Sequence, residues 1–306
     1  MGKIIKIGTR DSKLALWQAN TVAEKLKNLG FETEIISVKS EGDIILDKPL
    51  YELGITGIFT KTLDIAMISG KVDIAVHSMK DVPTALPKGI VQAAVLERAN
   101  TLDLLVHKGN LDFFEKDGII ATGSLRRQAQ WLNKFPNHKT EDLRGNVITR
   151  LQKLEDNIWN GAIFAAAGLE RLKIKPENSI DLDWMIPAPA QGALMVVAME
   201  NDEFSLEALS KLNDKKTEIE THIERQFLKT LEGGCTAPIG ALAKFIDEEN
   251  IHFKGILLSL NGQQKFEIDR TISLENYKDF GTLAAKEMLE NGGKELMNEI
   301  RLQLKK

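Results

Sequence analysis

Val72-Asp73-Ile74-Ala75-Val76 runs directly into His77-Ser78-Met79-Lys80-Asp81-Val82-Pro83. A short apolar run of this kind reads as a strand buried on both faces of a largely parallel sheet, over Val72 to Val76. The polar residues that follow are costly to place anywhere but in a loop at the strand's carboxyl end, where open α/β sheets gather their ligands. Asp81 in that loop is either a turn cap ahead of Pro83 or a functional carboxylate.

Working outward, the first hundred residues read β-α-β-α-β. A strand covers Lys3 to Gly8. A helix runs from a Ser12 cap to Gly30 with Leu14, Trp17, Val22, Leu26 and Leu29 on one face. A strand follows through Phe31 to Val38, then a short helix from Phe59 to Ser69. The pattern restarts near Thr101 with strands Leu104 to His107 and Gly118 to Thr122, a helix from Ser124, a strand Lys139 to Leu143, a helix from Val147 and a buried strand Ala162 to Ala166. After Pro187-Ala188-Pro189-Ala190-Gln191-Gly192, the apolar strand Ala193 to Met199 returns to the first sheet. Helices follow from Ser205 and over Thr217 to Leu231. Beyond Cys235 come alternating strands Gly240 to Phe245, Ile251 to Leu258 and Lys265 to Ile272, with a turn at Asn261-Gly262, and a helix from Tyr277 to Asn291. The expected division is 1–97 with 193–213, 98–192 and 214–306: two α/β domains and a small α+β domain.

The composition narrows the function. The chain has 306 residues, 43% hydrophobic and 27% charged, the balance of a globular protein. A net charge of −4 gives no global field for nucleic acid, so any anion site must be built from clustered cations. One cysteine cannot form an internal disulfide, and five scattered histidines offer no metal-ligand spacing. Neither a leader nor an apolar run of spanning length is read, so a cytoplasmic protein with no metal, membrane or nucleic-acid partner is expected.

Cys235 lies in Leu231-Glu232-Gly233-Gly234-Cys235-Thr236-Ala237-Pro238-Ile239-Gly240, a loop composition. It reads either as a small buried hydrophobe or as a thiol placed to react. Three further turns share one pattern. Ala121-Thr122-Gly123-Ser124-Leu125-Arg126-Arg127 runs from strand to helix start, where free N–H groups and the dipole favour an anion and paired arginines suit carboxylates. In the usual alternative, one of the two faces solvent. Leu143-Arg144-Gly145-Asn146-Val147-Ile148-Thr149-Arg150 repeats the pattern, as does Arg10 before Asp11 and Ser12. Arg171, in Gly168-Leu169-Glu170-Arg171, reads first as a surface salt bridge.

The runs HSMKDVP at 77–83, GSLRRQAQ at 123–130, LRGNV at 143–147, PAPAQGA at 187–193 and EGGCTAPIGA at 232–241 resemble the porphobilinogen deaminase family, in order and in register. The resemblance implies two domains like periplasmic binding proteins and a third that carries the cofactor cysteine. It implies a monomeric transferase of tetrapyrrole (haem) biosynthesis that joins porphobilinogen units head to tail, with loss of ammonia, into hydroxymethylbilane. It also implies a dipyrromethane primer on a thioether at Cys235 and a catalytic role for Asp81. The implied cofactor contacts are Lys80, Asp81, Ser124, Arg126, Arg127 and Gly145, and the implied substrate contacts are Arg10, Ser12, Lys61, Arg144, Arg150 and Arg171, with Lys61 in a flexible segment after the second strand.

The residues agree with that chemistry. Porphobilinogen carries an acetate and a propionate on its ring, so a growing chain gathers carboxylates and needs fixed cations. Positive charge that develops on pyrrole nitrogens calls for a carboxylate, the part open to Asp81. Two positions depart from the family pattern: Thr56 stands where many members have a lysine, and Gly123 replaces a hydroxyl residue. Two other classes compete. A two-lobed anion-binding protein has no use for Cys235 or the third domain, and a thiol hydrolase needs a histidine base, for which His222 is the nearest upstream candidate.

Overall fold

In this computed structural model the described residues are 3–38, 60–231 and 237–304. They form two compact units. The first comprises 3–38, 60–99 and 192–218; the second comprises 100–191, 219–231 and 237–304.

The first unit is built on one five-stranded sheet. β1 (Ile5–Thr9), β2 (Thr33–Ser37), β3 (Ile74–Ser78), β4 (Ile90–Val95) and β10 (Leu194–Met199) lie in the order β2-β1-β3-β10-β4. β2, β1 and β3 are parallel, and β10 runs antiparallel between β3 and β4. Helices α1 (Lys13–Asn28), α2 (Lys61–Ile68) and α6 (Glu203–Ser210) belong to it. α1 and α6 bury Ala19, Val22, Leu26, Ala208 and Leu209 against Ile5, Ile7, Ile74, Val76 and Val196. The buried face of α1 is set by alanines as well as by Val22 and Leu26. Leu14 and Trp17 are half-buried, and Leu29, expected on that face, is 45% exposed beyond the last turn.

Two differences from the expected strands bear on function. β3 runs two residues further than Val76, so His77 and Ser78 are strand residues paired with Met195 and Leu194 rather than loop residues. β4 was not anticipated. Its register against β10 shifts between Val196 and Val197, which breaks the period of two by which such a strand is read.

The second unit repeats the topology. β5 (Asp103–His107), β6 (Ile119–Ala121), β7 (Lys139–Glu141), β8 (Gly161–Ala165) and β9 (Ser179–Asp181) lie in the order β7-β6-β8-β5-β9. β7, β6 and β8 are parallel, and β5 is antiparallel between β8 and β9. Helices α3 (Leu125–Lys134), α4 (Val147–Asp156) and the short α5 (Ala166–Arg171) follow β6, β7 and β8. The same unit holds a three-stranded antiparallel sheet of β11 (Ile239–Phe245), β12 (Asn250–Leu258) and β13 (Lys265–Ser273). α7 (Lys215–Thr230), from Ile219 onward, α8 (Tyr277–Met288) and α9 (Lys294–Leu304) complete it. The helix expected to run to Asn291 is α-helical to Met288 and continues through a π turn, Leu289–Gly293, that breaks at Asn291 and at Gly292 with φ 105°, behind which α9 starts afresh.

The carboxyl-terminal sheet holds α3 from outside. Ala129 packs with Ile256 and Leu258, and the Asn133 side-chain amide donates to Gly262 O at 2.7 Å. α7 lies on the same small core, with Phe227 edge-on to Phe253 at 5.3 Å.

α8 approaches α7 through Gly281, where an added Cβ would lie 2.1 Å from Ile223 O and 2.9 Å from Gln226 Cβ. Helix propensity alone makes Gly→Ala favourable by about 1 kcal/mol. Backbone cannot yield as a side chain can, so Gly281→Ala is expected to destabilise the full chain by about 1–3 kcal/mol. The check is the shift in urea midpoint. A gain in stability would show that the two helices separate freely.

Candidate active site

At the carboxyl edge of the first sheet, β1 and β3 are parallel neighbours and end side by side. β1 leads into Arg10, Asp11 and Ser12. Ser12 is the N-cap of α1, its Oγ accepting from Ala15 N at 3.3 Å, which leaves the hydroxyl proton available to an incoming acceptor. β3 leads into a single 3₁₀ turn, Met79–Asp81. Met79 is 1% exposed and anchors that turn, its N–H donating to Ala193 O at 3.0 Å, so Lys80 and Asp81 stand half-buried at the sheet edge. Ser78 Oγ accepts from Gln18 Nε2 at 2.8 Å, tying α1 to the end of β3. His77 is buried, and burial together with the Arg10 charge pushes its pKa down to about 4. Lys61 is the exposed first residue of α2.

The second sheet presents β6, β7 and β8 in parallel, so the turns after them share one edge. Gly123 follows β6 with its Cα against Leu143, where a Cβ would sit 2.6 Å from Leu143 O. This backbone geometry suits glycine at the place where the family pattern carries a hydroxyl residue. Ser124 is the N-cap of α3 and makes no capping hydrogen bond.

Arg126 and Arg127 both turn inward. Asp103, at the start of β5 and fully buried, accepts at Oδ1 from Arg127 Nε at 3.0 Å, Arg127 Nη2 at 2.7 Å and Gln191 Nε2 at 2.9 Å. Its Oδ2 faces Arg126 Nη2 at 2.8 Å. Arg127 Nη1 also donates to Ile163 O at 3.0 Å, and Arg126 Nη1 to Ile186 O at 2.7 Å. The alternative in which one arginine faces solvent therefore fails. Burial alone would raise the Asp103 pKa, but the two guanidiniums and their hydrogen bonds hold it well below the usual carboxylate range. Burial, opposed by Asp103 and reinforced by Arg127, pulls Arg126 downward. Two guanidinium charges against one carboxylate leave one buried positive charge in excess, and Arg126 Nε has no hydrogen-bond partner among the described residues.

Arg144, in the turn after β7, is also buried with Nε unpartnered among the described residues, and burial, partly offset by Asp142, lowers its pKa. Gly145 adopts φ 113°, where a Cβ would lie 2.9 Å from Thr149 Cγ2. Asn146 caps α4 through Thr149 N at 3.0 Å, and Arg150 Nε donates to Gly145 O at 2.7 Å. Arg171 closes α5 half-buried, where burial, partly offset by Glu170, brings it down to about 10.

Cys235 and Thr56 lie outside the described residues. The flanks of the cysteine loop, Leu231 and Ala237, are buried in the carboxyl-terminal core. His222, the candidate base for a thiol hydrolase, has its Nε2 at 2.9 Å from Lys278 O and its ring edge-on to Tyr277. Sequence reading missed Asp103, Gln191 and the buried state of His77. An aspartate opening the apolar run Leu104-Leu105-Val106 was the available signal, since a charge there is kept only with partners.

The profile described as Porphobilinogen deaminase, dipyromethane cofactor binding domain, matches residues 5–207, and that of Porphobilinogen deaminase, C-terminal domain, matches residues 218–290. The chain belongs to the porphobilinogen deaminase family. Curated relatives include the porphobilinogen deaminase of a Nitratiruptor species, 40% identical with 96% of each chain covered. That of a Geobacillus species is 41% identical with 99% of each covered. The probable porphobilinogen deaminase of Methanocaldococcus jannaschii is 47% identical over 81% of this chain and 85% of its own. Among solved structures, the methionine binding protein MetQ aligns at 11% identity and a TM-score of 0.45, covering 68% of this chain and 89% of its own.

The cofactor of a porphobilinogen deaminase is a dipyrromethane that bears carboxylates. The second sheet's edge fits such a group: buried guanidinium N–H groups without partners among the described residues, an excess positive charge and an uncapped helix start are what a polyanion requires. Among the described residues no helix is long and apolar enough to cross a membrane.

His77 gives this family member a pH signature. Its folded pKa of about 4 lies below the ordinary 6.5, so its contribution to stability is present above about pH 6.5 and is lost as pH falls toward 4. Linkage puts the loss between pH 7.5 and 5 at about 2 kcal/mol. Urea titrations at both pH values should show wild type losing that much more than His77→Gln, and equal losses would place the imidazole in contact with solvent.

Proposed function

We infer that the chain uses a dipyrromethane primer to join four porphobilinogen units head to tail into hydroxymethylbilane, releasing one ammonia per unit, with the residue roles given below. The observation that carries this assignment of roles is the buried, incompletely partnered cation set of the second unit. Cys235 holds the primer through a thioether, from a loop whose two flanks are fixed in the carboxyl-terminal core. When bound, the dipyrromethane supplies the pyrrole carbon to which the first unit is joined. Ser124, Arg126, Arg127 and Gly145 hold its carboxylates, with Lys80 contributing from its own turn. Arg127, locked on Asp103 and Ile163 O, acts mainly through its charge, whereas Arg126 keeps an N–H to offer. Arg10, Ser12, Lys61, Arg144, Arg150 and Arg171 bind substrate carboxylates, and Arg150 also braces the Gly145 turn.

Asp81 is the catalytic residue. A carboxylate presented half-buried by an anchored turn can accept hydrogen bonds from pyrrole N–H groups, stabilise positive charge on the ring and move protons at the leaving amine and the attacked carbon. In this reading 1–97 with 193–213, 98–192 and 214–306 are three domains of a cytoplasmic monomer, and a net charge of −4 supports the absence of a nucleic-acid partner.

Purified protein is expected to carry a mass increment equal to one dipyrromethane, absent in Cys235→Ser. Intact-mass measurement tests this, and fully active protein with an unmodified thiol defeats the assignment.

Asp81→Asn is expected to fold and to acquire the primer while turnover of porphobilinogen drops by about a hundredfold or more, as on removal of a key electrostatic stabiliser. Turnover near the parent rate would reduce Asp81 to a turn cap.

A further inference from the structure

A chain of buried hydrogen bonds links the helix that leads to Cys235 with the arginine pair. Glu224 on α7 is fully buried, and its oxygens accept from Ala243 N on β11 at 2.7 Å and from Ala190 N at 2.6 Å. Ala190 sits in a tight turn in which Gln191 N donates to Ala188 O at 2.9 Å. Gln191, also fully buried, gives its side-chain amide to Thr101 O at 2.8 Å and to Asp103 Oδ1 at 2.9 Å. Asp103 in turn orients Arg126 and Arg127. Each link is a short bond inside one compact unit, and α7 ends at Thr230, just ahead of the cysteine loop.

We propose that Gln191 and Glu224 are positioning residues for primer loading, joining the attachment segment to the carboxylate that orients the arginine pair. The proposal rests on the assignment of Cys235 and the arginines to the primer. Gln191 has a specific part in it: it donates to Asp103 without adding charge. Among the charged groups around it are Asp103 on β5 and, through Asp103, Arg126 and Arg127 on α3, with Glu224 on α7 holding the neighbouring amide. A carboxylate at 191 would cancel the one positive charge left over and set two acceptors against each other. Loading itself consumes two porphobilinogens. Two aminomethyl C–N bonds break, one S–C and one C–C bond form, and the thiol proton and one ring proton leave with two ammonia molecules.

The test uses the full chain, made without primer in cells that produce no porphobilinogen, then given porphobilinogen and followed by intact mass. Gln191→Glu is near-isosteric. Its loading rate is expected to fall tenfold or more, while the fraction that becomes loaded keeps a KM for porphobilinogen within twofold of wild type. A general loss of structure would move both quantities and would lower the melting temperature. Glu224→Gln, which keeps shape but offers one acceptor oxygen to two N–H groups, reads the chain from its other end and serves alone if Gln191→Glu does not fold. Loading within twofold of wild type, or loading and KM worsening together in a folded variant, overturns the proposal. Wild-type chain that acquires no adduct, or Cys235→Ser chain that does, defeats the underlying assignment instead.

Discussion

A carboxylate with no solvent contact, held against two guanidiniums, is the constraint around which the second unit is arranged. Burying an ion is expensive, and one partner rarely repays the desolvation. Asp103, at the start of β5, is kept ionised by two arginines and an amide, and these partners are drawn from two other stretches of chain: the first turn of α3 and the turn before β10. The arrangement is unbalanced by one positive charge. That imbalance disfavours the empty site and favours an anion beside it, because the guanidiniums were desolvated and oriented on folding and need no reorganisation when a carboxylate arrives. Preorganised charge of this kind is the most effective electrostatic device available to a protein site.

The two five-stranded sheets show how one topology can carry different chemistry. Both set an antiparallel strand beside three parallel ones, and in both the turns after the parallel strands gather polar side chains at one edge. The first edge carries Lys80 and Asp81 on an anchored 3₁₀ turn, with a neutral histidine beneath and Ser12 at a helix start. The second carries arginines on helix starts. Their difference lies in the loops and not in the sheets, as expected where a scaffold fixes geometry and its turns supply function.

Much of this was legible in the residues. Buried strands read as short apolar runs, the Ser12 cap reads from its place before Leu14, and the arginines read at strand-to-helix turns, where the structure places them. Other features were not, for identifiable reasons. Whether Arg127 points out or in depends on Asp103, distant in sequence. β4 hides behind a bulge, and the break after α8 depends on a left-handed glycine. Leu29 counts toward an apolar stripe by period but lies past the last turn that faces the sheet. Arg171 looks like a surface residue because its neighbour Glu170 is charged, while its own side chain is desolvated by the fold.

The turn at Ala188 to Gln191 shows how tightly the arginine set is specified. Pro189 at its second position and φ 63° at Ala190 are the signature of a turn whose third position favours glycine. An alanine there costs about 1–2 kcal/mol, and it persists only where the surroundings over-determine the conformation. Here they do: Glu224 accepts the Ala190 N–H, Gln191 N–H closes the turn, and the Gln191 side chain is fixed by Thr101 and Asp103. Glycine would relieve the strain but would widen the conformations open to the unfolded chain and to the turn itself. A strained alanine held at both ends by buried hydrogen bonds is therefore a rigid spacer, and it fixes the Gln191 side chain against the carboxylate that orients Arg126 and Arg127.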